Sequence, residues 1–131
     1  MADVAPLPRR GFVSSSSDSR FAAFREARVM ITGGLGLIGS ALARRLVALG
    51  AEVLLVDSMV PEGGGNVANI ADIRDGVQTR IADMRDREAM RHLLTGQHFL
   101  FDLAAQTSHL DSMNAPEHDL AVNCKIGRAH V

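Results

Sequence analysis

The stretch Thr32-Gly33-Gly34-Leu35-Gly36-Leu37-Ile38-Gly39 most constrains what this chain can fold into. It follows a short apolar run, Val29-Met30-Ile31, and leads into apolar residues at helical spacing, Ile38, Ala41, Leu42, Leu46 and Leu49, which Gly50 stops. The glycines Gly33, Gly36 and Gly39 thus stand G-x-x-G-x-x-G at a strand-to-helix junction. Three physical demands meet there. A tight turn needs positive φ, an anion at a helix N-terminus needs bare backbone N–H groups, and a helix lying close on its strand leaves no room for a Cβ. Gly33 and Gly36 answer the first two demands and Gly39 the third. Glycine also serves ordinary turns, so the spacing requires a second, independent residue.

Asp57 supplies it. Val53-Leu54-Leu55-Val56 is a continuous apolar run, the pattern of a strand covered on both faces, and Asp57 ends it with Ser58 beside it. A carboxylate at that strand end accepts hydrogen bonds from an adenosine ribose. Strand, glycines, helix, strand and acid in this order predict a dinucleotide-binding unit. The Asp57 charge opposes a 2′-phosphate and no Lys or Arg lies between residues 58 and 69 to offset it, which favours NAD over NADP. The competing role for Asp57 is capping of local N–H groups.

Further along, residues 78–81 and 99–103 read as a third and a fourth strand. Asp86 caps a helix that runs to Leu94 and stops at Gly96, and residues 66–73 suggest a shorter helix. The alternation predicts an α/β fold: a Rossmann-type parallel sheet with helices on both faces, incomplete at about four strands. Residues 1–27, with Pro6, Pro8 and the serine run 14–17, read as a mobile tail in which Phe21-Ala22-Ala23-Phe24 forms one docking helical turn. Residues 28–124 form the partial dinucleotide-binding domain.

Composition narrows the partners. Fourteen Lys and Arg against fifteen Asp and Glu, interspersed, leave a formal net charge of −1. No basic face for nucleic acid and no polybasic membrane segment results. The apolar runs fall far below the roughly 18–20 residues of a membrane span. The single cysteine, Cys124, reads as a buried helix residue with no disulfide partner, and the five histidines lack metal-ligand spacing. A cytoplasmic setting is expected.

Ile81-Ala82-Asp83-Met84-Arg85-Asp86 and Leu103-Ala104-Ala105-Gln106, together with the glycine turn and Asp57, resemble the extended short-chain dehydrogenase/reductases. The specific resemblance, over about residues 28–124, is to NAD-dependent nucleotide-sugar epimerases and dehydratases. It implies that Asp83 binds the adenine with Met84 against the ring, and that Leu103, Ala104, Ala105 and Gln106 pass their backbone close to the cofactor. It also implies that Asn123 touches the cofactor from the next helix. Helix capping competes as a role for Asp83, and structural hydrogen bonding for Asn123. Ser108-His109-Leu110-Asp111-Ser112 resembles a substrate-side segment of the dehydratases, offset in register by Thr107.

In that family a tyrosine of a Tyr-x-x-x-Lys motif removes the proton as hydride leaves a nucleotide-sugar carbon. This chain contains no tyrosine, so no catalytic residue is assigned and the chain alone is expected to be inactive. The resemblance implies a nucleotide-sugar substrate and a homodimer for the full-length form only. Residues 125–131 break the helical period and match the translation of a common short-read sequencing adapter, so they are expected to be non-native sequence closing a truncated gene. The alternative reading is a noncatalytic dinucleotide-binding regulatory module. A flavodoxin-like domain would instead show a phosphate loop rich in Ser and Thr.

Overall fold

A computed structural model describes residues 19–105 and 113–124. Residues 106–112, which include Gln106 and the Ser108-to-Ser112 segment, lie outside the described residues, as do residues 1–18 and 125–131. Strand β1 (Arg28–Thr32) leads into helix α1 (Leu37–Ala48), and β2 (Glu52–Asp57) follows. Three short 3₁₀ turns, Pro61–Gly63, Val67–Ile70 and Arg74–Gly76, connect β2 to β3 (Val77–Ile81). Helix α2 (Arg87–Leu94), strand β4 (Phe99–Asp102) and helix α3 (Pro116–Asn123) complete the order.

The four strands are parallel in the order β3-β2-β1-β4. The chain builds outward from β1 to one side through β3, then returns to place β4 on the other side. A crevice therefore opens at the carboxyl ends of β1 and β4, where the winding reverses, which is where open α/β sheets bind ligands. Thr32 stands opposite both Val56 and Asp102 in the ladders.

Alternation along the strands divides the core in two. Val29 and Ile31 with Val53 and Leu55 pack under Ala43 and Leu46 of α1. Met30, Leu54 and Val56 face the other way, against Met84 and Met90. Helices thus cover both faces, and β1 and β2 are buried along almost their whole length, which explains their uninterrupted apolar runs.

Local signals act as the sequence predicts at most boundaries. Asp86 accepts hydrogen bonds from the Glu88 and Ala89 N–H groups at 3.1 Å each, capping α2. Gly50 after α1 and Gly96 after α2 take φ of +87° and +79°. Three expectations change. The predicted 66–73 helix is only the 3₁₀ turn Val67–Ile70, because tertiary bonds hold this segment. The Asn66 N–H and the Asn69 side-chain amide both donate to the Leu35 carbonyl, Arg44 pairs with Asp72 at 2.7 Å, and Ile70 is buried.

The face of α1 is also rotated from its apolar period: Gly39, Ser40, Ala43 and Leu46 are buried, whereas Leu37 and Ile38 are 82% and 71% exposed. Gly39, at the start of this face, lets the helix begin directly against the turn. The boundary at residue 27 shifts as well, since residues 19–27 belong to the fold. Ser19–Phe24 forms a 3₁₀ turn, the Phe24 ring packs at a tilt with its centroid 4.9 Å from that of Phe99, Ala27 is buried, and the Glu26 N–H donates to the Gly50 carbonyl at 2.8 Å.

Candidate cofactor site

The glycine turn forms the floor of a cleft of about 650 Å³, within the range of small-molecule sites. Gly33 takes φ of +63°, and a Cβ on it would lie 2.8 Å from the Leu103 carbonyl oxygen and 2.9 Å from the Ala104 nitrogen. Only glycine fits there. Gly36 is the N-cap of α1 in extended conformation, and no side chain caps the helix. The first-turn N–H groups, under Leu37 and Ile38, therefore lie at the cleft with the positive end of the helix. This cradle suits a pyrophosphate.

Gly39 meets its requirement differently from the sequence expectation. Its missing Cβ would strike the Gly33 carbonyl oxygen at 2.3 Å and the Gly34 Cα at 2.8 Å, so the close approach is to the turn and not to the strand beneath. Gly34, which the spacing argument passes over, packs on β2 instead, where a Cβ would meet Leu55 at 2.8 Å. The Gly34 N–H donates to the Val56 carbonyl and fixes the turn to that strand.

Asp57 and Ser58, at the end of β2, line the wall beside the turn. Its Oδ2 accepts from the Leu35 N–H at 3.1 Å and its Oδ1 from the Met59 N–H at 2.9 Å, so it does cap local backbone. A carboxylate offers about four lone-pair positions, so two remain for a diol. The two roles considered for Asp57 are compatible. Gly63 and Gly64 also line this wall, and a Cβ on Gly65 would lie 2.8 Å from Asp57 Oδ1. The run Gly63-Gly64-Gly65 is a sequence signal for this wall that lies outside the G-x-x-G-x-x-G spacing.

Asp83 and Met84 also line the cleft, and Asp83 does not cap α2, whose N-cap is Asp86. Arg85 holds it: the guanidinium reaches Asp83 Oδ2 at 2.5 Å and the Arg85 N–H donates to Oδ1 at 2.9 Å. The side-chain hydrogen bond from Arg85 keeps the Asp83 carboxyl below the usual carboxylate range, against a smaller opposing effect of burial, and Asp83 raises Arg85 in turn. His118 of α3 brings Nδ1 within 3.2 Å of the same guanidinium. Sequence spacing gave no sign of this contact.

Leu103, Ala104 and Ala105 line the side formed by β4. Asn123 does not line the cleft; it is exposed, and Val122 and His118 are the α3 residues that reach the cleft wall. A helix turns its side by about 100° per residue, so a one-residue offset carries Asn123 away. Cys124 is likewise exposed and not buried.

A parallel sheet wound in this order, with a glycine-lined helix N-terminus and an acid on the next strand, defines a Rossmann-type dinucleotide-binding fold. The model of the NAD dependent epimerase/dehydratase family matches residues 29–129, and the chain belongs to that family. The match extends into the 125–131 segment, beyond the limit of the resemblance read from sequence.

The chain is 41% identical over 88 residues to a protein named probable dTDP-glucose 4,6-dehydratase of Sinorhizobium fredii, covering 64% of this chain and 24% of that protein. Among solved structures it is similar to an epimerase of Methanothermobacter thermautotrophicus, with a TM-score of 0.74 and 28% identity over 83% of this chain and 32% of the other. It is similar too to the dTDP-glucose 4,6-dehydratase DesIV of Streptomyces venezuelae, solved with NAD bound, at a TM-score of 0.69 and 27% identity over 78% of this chain and 34% of the other. This chain therefore spans about a quarter to a third of the length of these relatives. Among the described residues, no helix is long and apolar enough to cross a membrane.

Proposed function

We propose that this chain binds NAD and supplies the cofactor-binding portion of a nucleotide-sugar epimerase or dehydratase. One observation carries the reading: the bare N-terminus of α1 at the Gly33 turn and the Asp57 carboxylate, which the Leu35 N–H of that turn holds, line one cleft. The turn amides and the helix dipole hold the pyrophosphate, and Asp57 accepts from the adenosine ribose. Asp83 and Met84 bound the adenine end. When bound, the nicotinamide supplies the hydride acceptor for oxidation at a sugar carbon. The chain's own groups bind and orient; with no tyrosine among its 131 residues, it does not complete the proton transfer by itself.

Titration calorimetry of the full chain with NAD and with NADP tests this. NAD binds with measurable heat and NADP at least about tenfold more weakly, because the Asp57 charge opposes a 2′-phosphate. An absence of NAD binding by the folded chain would overturn the proposal, and an equal affinity for NADP would remove the role given to Asp57.

A further inference from the structure

Thr32 ends β1 beside the cleft, is 1% exposed, and stands directly opposite Asp102 in the parallel ladder. Its hydroxyl makes three contacts. It donates to Asp102 Oδ1 at 2.6 Å, within the range of a charge-assisted O–H···O⁻ bond. It accepts from the Leu103 N–H at 3.2 Å and the Ala104 N–H at 3.5 Å. A hydroxyl has one proton and two lone pairs, so these contacts use its whole capacity. With the proton committed to Asp102, both lone pairs face the two amides.

Those amides belong to the segment against which Gly33 packs, at the Leu103 carbonyl and the Ala104 nitrogen. The other side of the turn is already fixed, through the Gly34 N–H and the Val56 carbonyl. We propose that Asp102 and Thr32 form a clamp that sets residues 103–104 against Gly33, and with them the width of the crevice floor. Both are positioning residues, since neither is assigned a contact with the cofactor. The link to nucleotide affinity rests on the NAD reading above. The Leu103 N–H also reaches the Thr32 carbonyl at 3.2 Å, so the Ala104 amide is the more sensitive reporter.

The test is amide hydrogen exchange on the full chain without nucleotide, followed by NAD titration. Thr32→Val and Asp102→Leu remove the hydroxyl and its acceptor, whereas Thr32→Ser and Asp102→Asn keep a hydroxyl and an acceptor oxygen. Exchange at Ala104 rises about tenfold in the first two and returns toward the unaltered chain in the second two, and NAD affinity follows the same order, falling about tenfold. Asp102 is exposed, so Asp102→Leu keeps the test open even where Thr32→Val impairs folding. Unchanged Ala104 exchange in Asp102→Leu, or failure of Asp102→Asn to restore it, would overturn the clamp. Exchange that tracks the hydroxyl in a chain that binds no NAD would support the clamp and sink the cofactor reading alone.

Discussion

Gly39 lies so close to Gly33 that a Cβ added to it would sit 2.3 Å from the Gly33 carbonyl oxygen. The helix and the turn that feeds it are thus packed backbone to backbone. Gly→Ala within a helix normally stabilises by about 1 kcal/mol, but here the overlap is with backbone that has nowhere to move. Gly39→Ala is expected to lose about 2–3 kcal/mol in denaturant unfolding. Gly50→Ala is the control: its φ is +87° with nothing within 4 Å, so its cost is conformational only, about 1 kcal/mol.

Asp57 affects stability as well as affinity. Asp57→Ala leaves the Leu35 and Met59 N–H groups without their acceptor, at a cost of about 1–3 kcal/mol in the absence of any nucleotide. Thermal unfolding of the free chain reads this directly. An unchanged midpoint would show that water replaces the carboxylate at no cost.

The two-sided core predicts independence across the sheet. Leu46 is buried on the α1 face and Met90 on the α2 face. Leu46→Ala and Met90→Ala are each expected to cost about 2–5 kcal/mol, and the double variant their sum within about 0.5 kcal/mol. Chemical denaturation measures all three. A large coupling energy would contradict the separation into two clusters.

Acid titration reports the Asp83–Arg85 pair. Arg85 holds the folded-state Asp83 carboxyl below its ordinary value, so the unfolded state binds the proton more readily. The stabilisation is present above the unfolded carboxylate pKa of about 4 and is lost as the pH falls through the lower folded value. Arg85→Ala should therefore flatten the rise of melting temperature with pH in this acid window. Both partners are well exposed, so the change is small and shrinks with added salt.

Much of the geometry of the cleft follows from residues near each other in sequence. The turn of Gly33, the N-cap at Gly36, the acid at the end of β2 and the Asp86 cap depend on φ preferences, strand period and side-chain reach, all local properties. Asn123 shows where local reading stops. The resemblance placed it at the cofactor, yet the phase of α3 exposes it and brings Val122 to the cleft. Helical phase depends on how the helix docks, and only a packed neighbour fixes that. The 66–73 segment failed as a helix for the same reason, since its bonds run to Leu35 and Arg44.

By itself the sequence determined the class of fold, the strand-turn-helix unit and an acid suited to a ribose, because each is encoded within a few residues by sterics and periodicity. Only the tertiary structure decided that Thr32 engages Asp102, that His118 meets Arg85, and that Gly33 packs on Leu103. These pairs are remote in sequence, and their contacts exist only once parallel strands are in register and the crossover helices have chosen a face.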